Sequence, residues 1–378
     1  MPIARNDIFI WRKIDIRESN VHFAKRLTGD WVTFVGMYPF GFRQCLSLFI
    51  ALTLFGLSCK KGQKPDSQPP AVAVKGADVS WITEMENQGK KFFNTSGTEE
   101  DLFAILKGVG MNAIRLRVWV APPDGYNAPT DVLAKAKRAA SAGMDVLIDF
   151  HYSDSWADPG QQTIPASWTD HSLAALGEQV AAHTVAVLSQ LKQAGVSVRW
   201  VQVGNETNDG MLWPTGKASV DMASFASLID SGYSAVKSVY PQAKVIVHLS
   251  NGFDNSLFRW MFDGLKANGT RWDVIGMSMY PAVHNWKLLN EQALANMNDM
   301  VTRYDKEVMM VECGMPWDQP QGTRQFLTDL IQKVQSVEKG RGIGVFYWEP
   351  EAYGNWKGYT LGAFDNSGKP TVALDAFR

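Results

Sequence analysis

Apolar and polar positions follow a regular order along the chain from residue 75 onward. Short apolar runs alternate with longer amphipathic stretches, which is the pattern of repeated β/α units around a parallel sheet. The pattern predicts eight strands, at residues 75–81, 112–120, 145–153, 198–206, 244–251, 273–281, 307–314 and 342–350.

The stretches between these strands are predicted helices, and residues 99–110, 131–143, 225–241 and 323–337 are examples. Several end in Gly just before the next strand, as helix C-caps do. Eight such units in one domain of about 300 residues predict a (β/α)8 TIM barrel over residues 75–378. A doubly wound sheet would give a similar alternation, but no GxGxxG motif follows the first strand, so it ranks second.

Polar and aromatic residues collect at the carboxyl ends of the predicted strands, where a barrel of this type has its active site. The stretch 201–216, VQVGNETNDGMLWPTG, is an apolar strand that runs into Asn205 and Glu206 and then into a loop rich in Gly, Trp and Pro. Burying an unpaired carboxylate is expensive, so Glu206 is expected to have a partner, a task, or both. The residues at or just after strand ends are His151, Glu206, Asn251, Tyr280, Glu312 and Glu349.

Two of these residues suggest a reaction. Glu206 ends the fourth strand and Glu312 ends the seventh, and in a closed barrel both ends face one cavity. Retaining glycosidases need two carboxyl groups about 5 Å apart, one to protonate the leaving oxygen and one to attack the anomeric carbon. A single glutamate at a strand end is more often an ion-paired structural group. Two of them with distinctive neighbours favour catalysis.

Composition narrows the range of partners. The formal net charge of −1 gives no electrostatic case for nucleic acid. The chain has 14 Trp and 10 Tyr, many of them in predicted loops, which suits flat amphipathic ligands such as sugars, although large cores also use Trp. Neither CxxC nor HExxH occurs, so no zinc site is expected.

The first 74 residues differ from the rest. A basic start at Arg43, an apolar run over 46–57 and small residues before Cys59 resemble a bacterial lipoprotein signal, with Cys59 as the lipidated mature N-terminus. We therefore expect an extension and signal over 1–59, with the true start possible at Met37, and a polar, Pro-rich tether over 60–74. The protein would be exported and lipid-anchored to the outer membrane, at the cell surface. The alternative is a signal-anchor helix that stays in the membrane.

Cysteine usage agrees with export. Cys45, Cys59 and Cys313 are the three cysteines of the chain, and the first two lie in the predicted signal. The mature domain would keep one thiol and form no internal disulfide.

Several strings together resemble one family. They are IRLRVWV, DFHYSDSWADPGQQ, WVQVGNETNDGMLWPTG, SMYP, VECGMPW and YWEP, and they are similar to those of the endo-β-1,4-galactanases of glycoside hydrolase family 53. The resemblance runs from about residue 75 to 378. GNE alone would specify only the wider clan of retaining barrel hydrolases, whereas DFHYSDSWADP together with GNETNDGMLWP is far more specific.

The resemblance implies roles for particular residues. Glu206 corresponds to the acid/base and Glu312 to the nucleophile, and Asn205 would bind the hydroxyl beside the anomeric carbon. Tyr280 would donate a hydrogen bond to the nucleophile. Strand alternation points Arg115 and Arg117 the same way, and Arg117, nearer the carboxyl end, is the preferred candidate for keeping Glu312 ionised. His151 is expected to line the cleft floor, or else to be a satisfied core histidine.

Substrate contacts are expected from aromatic and acidic residues near the strand ends. Trp348 matches the aromatic platform that stacks on the sugar at the cleavage subsite. Trp119, Trp156 and Trp213 are further candidates, of which at least one is expected to be loop packing. Asp154 and Asp158 would bind sugar hydroxyls or serve as ordinary turn residues.

The chain also departs from the family pattern. Met279 stands in SMYP where tyrosine is familiar, and Cys313 and Gly314 stand where bulkier or hydroxylated residues are usual. The loop after the seventh strand is short, so no calcium site is expected there, although one elsewhere stays possible. The expectation is a monomeric galactan hydrolase that needs no cofactor and touches membrane only through its lipid anchor. The alternatives are a barrel β-mannanase or β-glucanase and a non-catalytic surface glycan-binding protein.

Overall fold

The computed structural model describes residues 74–378. Within them, eight parallel strands form a closed barrel in chain order, which confirms the predicted (β/α)8 TIM barrel. Every predicted strand is present, and each ends a little before its predicted carboxyl end because the last residues leave the ladder to line the open face. The strands are β1 Val74–Asp78, β2 Ala113–Val118, β3 Asp145–Phe150, β4 Val198–Val203, β5 Lys244–Leu249, β6 Val274–Met279, β7 Glu307–Cys313 and β8 Gly342–Trp348.

Helices cover the outside of the barrel. They are α1 Ile82–Asn87, α2 Leu102–Gly108, α3 Pro129–Ser141, α4 Leu173–Gln193, α5 Met222–Val239, α6 Asn255–Ala267, α7 Trp286–Tyr304 and α8 Pro320–Ser336, followed by 3-10 turns at Glu338–Gly340, Trp356–Gly358 and Val372–Phe377. Asp101 and Asp221 cap helix starts by accepting backbone N–H groups. The predicted glycine ends are confirmed at Gly110 and Gly143, which adopt positive φ angles just past α2 and α3.

Alternation along the strands divides the barrel into layers. One buried cluster fills the interior with at least one side chain from every strand, including Leu147, Trp200, Ile246 and Phe346. Gly76 leaves the room that Phe346 needs, since a Cβ there would lie 2.3 Å from its ring. Above this apolar layer the inward positions become polar. The interior is therefore apolar below and polar at the carboxyl face, which is where barrels of this type have their active sites.

A β-bulge in β7 changes which side chains point inward. Along the β6–β7 ladder Met277 pairs with Met310 and Ser278 pairs with Glu312, so Val311 is an extra residue. Val311 lies in the interior apolar cluster, whereas Cys313 packs with the outer core. Simple alternation from Val311 would turn Glu312 away from the cavity. The bulge lets two successive residues, Val311 and Glu312, both face inward.

The predicted N-terminal extension, the signal, Cys59 and most of the tether lie outside the described residues, and the predicted domain boundaries stay predictions. Between Val74 and Arg378, no helix combines the length and the hydropathy that a membrane crossing requires.

Candidate active site

Glu206 and Glu312 are brought together at the carboxyl face by β6, which lies between their strands. The Ser278 hydroxyl donates to Glu206 Oε1, and the Tyr280 hydroxyl donates to Glu312 Oε2 at 2.7 Å. Glu312 is 5% exposed. The backbone of Glu206 has a φ of 43°, and its N–H donates to His248 Nδ1 at 3.3 Å. The predicted Tyr280 contact is therefore present, and Ser278 is a partner that the sequence interpretation missed.

The arginine that contacts Glu312 is Arg115, so the preference for Arg117 was wrong. Arg115 Nη2 lies 2.8 Å from Glu312 Oε1, whereas Arg117 Nη1 pairs with Glu349 Oε1 at 2.5 Å. Barrel strands tilt against the axis, so the residue nearer the end of β2 is not the one level with the end of β7. Alternation identified the inward face of β2 but not the height of each side chain.

Arg115 is shared among several acidic groups. Its guanidinium also lies 2.7 Å from Asp78 Oδ2 and 2.9 Å from Asp149 Oδ2, and all these side chains are buried. One cation thus faces three carboxyl groups, including Glu312. The site has an excess of acidic groups that a single arginine does not neutralise.

Burial raises the pKa of both glutamates. For Glu206 the pKa rises to about 8, with Glu312 adding to the rise and the Ser278 hydrogen bond opposing it. For Glu312 it rises to about 7, because burial together with Asp149 and Asp78 outweighs the opposing effects of Arg115 and the Tyr280 hydroxyl. The cation therefore limits the rise without reversing it, contrary to the simple expectation of a lowered pKa. Arg115 and the Tyr280 hydroxyl favour the ionised form of Glu312, whereas the neighbouring Glu312 disfavours the ionised form of Glu206.

A polar layer beneath the glutamates holds Asn205 in place. Asn205 Oδ1 accepts from Arg115 Nη2 at 3.0 Å and from Gln202 Nε2 at 3.1 Å, and its Nδ2 donates to Ala157 O at 2.9 Å. His248 lies beside Gln202, and burial lowers the pKa of His248 well below its usual range, so the ring is neutral. Sequence reasoning missed Asp78, Asp149, Gln202 and His248, although polar residues at inward positions of apolar strands were a usable signal for the last three.

His151 lies under the cleft with every ring nitrogen engaged. Its Nε2 is 3.0 Å from Asp149 Oδ2, and its Nδ1 accepts from Trp119 Nε1 at 3.3 Å and from Ala157 N at 3.1 Å. These bonds place the ring proton on Nε2. The histidine links β2, β3 and the loop after β3 from below, and its polar atoms face protein groups.

Aromatic residues form one side of the cleft. Trp348 touches Trp81 and Trp156, with ring centroids 5.1 and 5.9 Å apart, and Trp119 packs against Trp156 at 5.3 Å. Trp81 follows β1 and is not among the residues that the sequence predicted for this site. We call these four residues the tryptophan wall.

The remaining predicted contacts lie in loops. Asp154 accepts the backbone N–H groups of Ala121 and Ala166 and so joins two loops. Asp158 accepts Gly160 N in its own turn. Trp213 donates to Asp209 O and lies under Lys217 Nζ at 4.8 Å. The loop geometry accounts for each side chain, and their contact with sugar stays a prediction.

The arrangement places two buried carboxyl groups with different partners at one end of the barrel, with aromatic rings beside them. Across residues 74–378, no three His, Cys, Asp or Glu side chains are grouped in a way that would hold a metal ion. The chemistry that these residues support is acid–base and nucleophilic catalysis by carboxyl groups.

Comparison with known proteins gives a consistent result. The family model described as Glycosyl hydrolase family 53 matches residues 74–377. An arabinogalactan endo-β-1,4-galactanase of Thermothelomyces thermophilus is 34% identical over 339 residues, covering 82% of this chain and 99% of its own. A solved structure of fungal β-1,4-galactanases aligns with a TM-score of 0.76 at 33% identity, over 81% of this chain and 99% of that one. The GH53 catalytic domain of Ignisphaera aggregans aligns with a TM-score of 0.75 at 30% identity, over 83% and 97%.

Proposed function

Because this chain belongs to glycosyl hydrolase family 53, we propose that it is a retaining endo-β-1,4-galactanase that cleaves internal bonds of galactan. The relatives named above for this activity and the matching architecture support the substrate class. The observation that carries the mechanism is the carboxyl pair, in which Glu206 is bonded to Ser278 while Glu312 is bonded to Arg115 and Tyr280.

In the first step Glu312 attacks the anomeric carbon as the bond to the leaving oxygen breaks. Arg115 and Tyr280 each hold one oxygen of the Glu312 carboxylate, which fixes its plane. Glu206, whose pKa is raised by burial and by the neighbouring Glu312, gives its proton to the leaving oxygen. The products of this step are a shortened chain with a free hydroxyl and a glycosyl ester on Glu312.

In the second step water hydrolyses that ester. Formation of the ester removes the negative charge of Glu312, which had raised the pKa of Glu206. The pKa of Glu206 therefore falls between the steps, so Glu206 takes a proton from the incoming water and acts as the base. Water adds from the face opposite to Glu312, and the configuration at the anomeric carbon is retained.

Two further residues are proposed to bind the sugar at the cleavage point. Among the described residues, Asn205 Nδ2 makes one hydrogen bond, to Ala157 O, so its second N–H is available to the hydroxyl beside the anomeric carbon. Trp348, 8% exposed at the end of β8, offers an aromatic surface next to Tyr280 and thus next to Glu312.

A substrate panel tests this proposal. The purified protein should release oligosaccharides of mixed length from β-1,4-galactan and lower its viscosity early, and it should leave β-mannan and cellulose intact. Glu206→Gln is the matched inactive control. Faster hydrolysis of mannan or cellulose would make this chain a different barrel glycosidase. Binding of galactan with no hydrolysis would make it a glycan-binding protein.

A further inference from the structure

Three rings of the tryptophan wall surround a single buried guanidinium. The Arg117 guanidinium carbon lies 4.4 Å from the ring centroid of Trp156, 5.3 Å from that of Trp81 and 5.4 Å from that of Trp119. These rings come from the ends of β1 and β2 and from the loop after β3. The fourth member, Trp348, packs on two of them. One side chain thus contacts three separate segments of the barrel's open face.

The guanidinium depends on these rings for its stabilisation. Arg117 is 1% exposed, and within residues 74–378 its Nε and Nη2 have no hydrogen-bond partner. A buried donor without a partner is costly. The negative π-faces of the tryptophans are the groups that offset this cost, by cation–π attraction. The positions of the charge and of the rings are therefore coupled.

Glu349 completes the arrangement from the other side. Its Oε1 pairs with Arg117 Nη1, its Oε2 accepts the backbone N–H of Trp81 at 3.2 Å, and its own N–H donates to Asp78 O at 2.9 Å. It directly follows Trp348 and has a φ of 47°, in the left-handed region. Glu349 thus fixes the backbone at two members of the wall and supplies the counter-charge.

A second buried carboxyl, that of Glu351, lies close to Glu349. Burial raises the pKa of both Glu349 and Glu351; Arg117 opposes the rise at Glu349, whereas the neighbouring Glu349 adds to it at Glu351. Arg117 therefore favours the ionised form of Glu349, whereas the neighbouring Glu349 opposes ionisation of Glu351.

We propose that Arg117 and Glu349 are a positioning pair that sets the tryptophan wall for sugar stacking and acts on catalysis only through that wall. The proposal rests on the proposed galactanase function for its substrate. A buried ion pair is seldom more stabilising than apolar side chains of similar size, so packing alone does not account for a charge at this place. Neither member of the pair contacts Glu206 or Glu312, which have their own partners.

The test compares Arg117→Met and Glu349→Gln with Arg138→Met. Arg138 is the matched control because it also forms an ion pair, with Glu86, and lies 4.7 Å from the ring centroid of Phe103, but it stands on α3 outside the cleft. Near-ultraviolet circular dichroism of the free proteins should change for the first two variants and stay unchanged for the control. KM for galacto-oligosaccharides should rise about tenfold with kcat within about threefold. The acid limb of the kcat/KM profile should stay in place, because Glu312 keeps Arg115.

Arg117→Lys should give an intermediate KM, since lysine keeps the charge but does not spread over three rings. This variant and Glu349→Gln decide the question if Arg117→Met does not fold. A shift of the acid limb would mean that Arg117 acts on the nucleophile. Changes in KM and circular dichroism no larger than those of Arg138→Met would reduce the pair to a stabilising role. If the wild-type protein does not cleave galactan, the proposed function fails, and the circular dichroism of the free proteins still tests the wall.

Discussion

Unusual backbone angles occur at several residues that follow strand ends, including Glu206 and Glu349. Glu206, Glu349, Tyr152 and Asn251 all follow strand ends and all have φ between 43° and 55°. A side chain in this left-handed region costs about 1 kcal/mol, which glycine would avoid. Glycine would supply no carboxyl or amide group. At Glu206 and Glu349 the strained backbone therefore places a carboxyl group at the open face of the barrel.

Variants that lack Glu206 or Glu312 should lose activity in different ways. With an activated aryl glycoside the leaving group needs little protonation, so Glu206→Ala should still form the glycosyl ester, and azide should restore turnover with a product of retained configuration. Glu312→Ala should lose the first step, and azide should at most attack directly and give the inverted glycosyl azide. Product configuration by NMR is the measurement.

The comparison is internal, because each variant serves as the control for the other. Exchange of the two rescue products would mean that the acid/base and nucleophile roles are reversed. Activity close to wild type in either variant would remove that residue from the mechanism.

At the scale of single elements, the sequence predicted strands far better than the directions of their side chains. All eight strands and the four helices given as examples were predicted from the apolar pattern, because burial imposes that pattern wherever an element packs on a core. The extra residue Val311 has no such signature, since it is apolar in an apolar strand. The bulge that turns Glu312 inward is defined by the pairing of β7 with β6 and β8, which depends on contacts distant in sequence.

Contacts between distant strands also limited what the sequence could predict about the candidate site. Family resemblance was enough to select Glu206 and Glu312, and polar inward positions such as Asp149 were readable from strand alternation. The sequence could not show that Arg115, and not Arg117, contacts Glu312, because that contact depends on strand tilt around the whole barrel. Trp81 was overlooked for a related reason, since its place beside Trp348 arises only when β1 pairs with β8.

His183, on α4, should make the free energy of unfolding depend on pH. His183 on α4 packs against Phe150, Tyr152 and Trp168, with Asp154 as its charged neighbour, and burial lowers its pKa to about 4. The neutral ring is favoured in the folded state, so its contribution is complete above pH 6.5 and is lost as pH falls towards 4. At pH 5 about 2 kcal/mol should be lost through this group.

Urea unfolding at pH 7 and pH 5 measures the effect. Wild type should lose about 2 kcal/mol more between the two values than His183→Phe, which keeps an aromatic ring but does not titrate. His284→Gln, at an exposed position, is the control and should behave as wild type does. An equal loss in wild type and His183→Phe would show that the ring is solvated or already charged at neutral pH.

At the scale of the whole molecule, we propose that the barrel is held at a membrane surface through a lipid on Cys59, as the small residues before it and the Pro-rich segment after it suggest. Cys59→Ala should move the protein from the membrane fraction to the soluble fraction with specific activity unchanged. Cys45→Ala, upstream in the predicted signal, should leave the distribution as it is. If Cys59→Ala still sediments with membranes, a retained hydrophobic helix is the better explanation.

The barrel closes where the two ends of the described domain meet. Strand β1 pairs with β8, and Lys75 Nζ donates to Phe377 O at 2.8 Å, across 302 positions of sequence. A growing polypeptide emerges from the ribosome with β1 first, so the partner of that strand is the last one to be made. Until then the parallel edges stay open, and the pocket that unites Arg115 with Glu312 does not exist. A message that stops before the codons of β8 would therefore yield a chain that contains both glutamates and has none of the enzyme's activity.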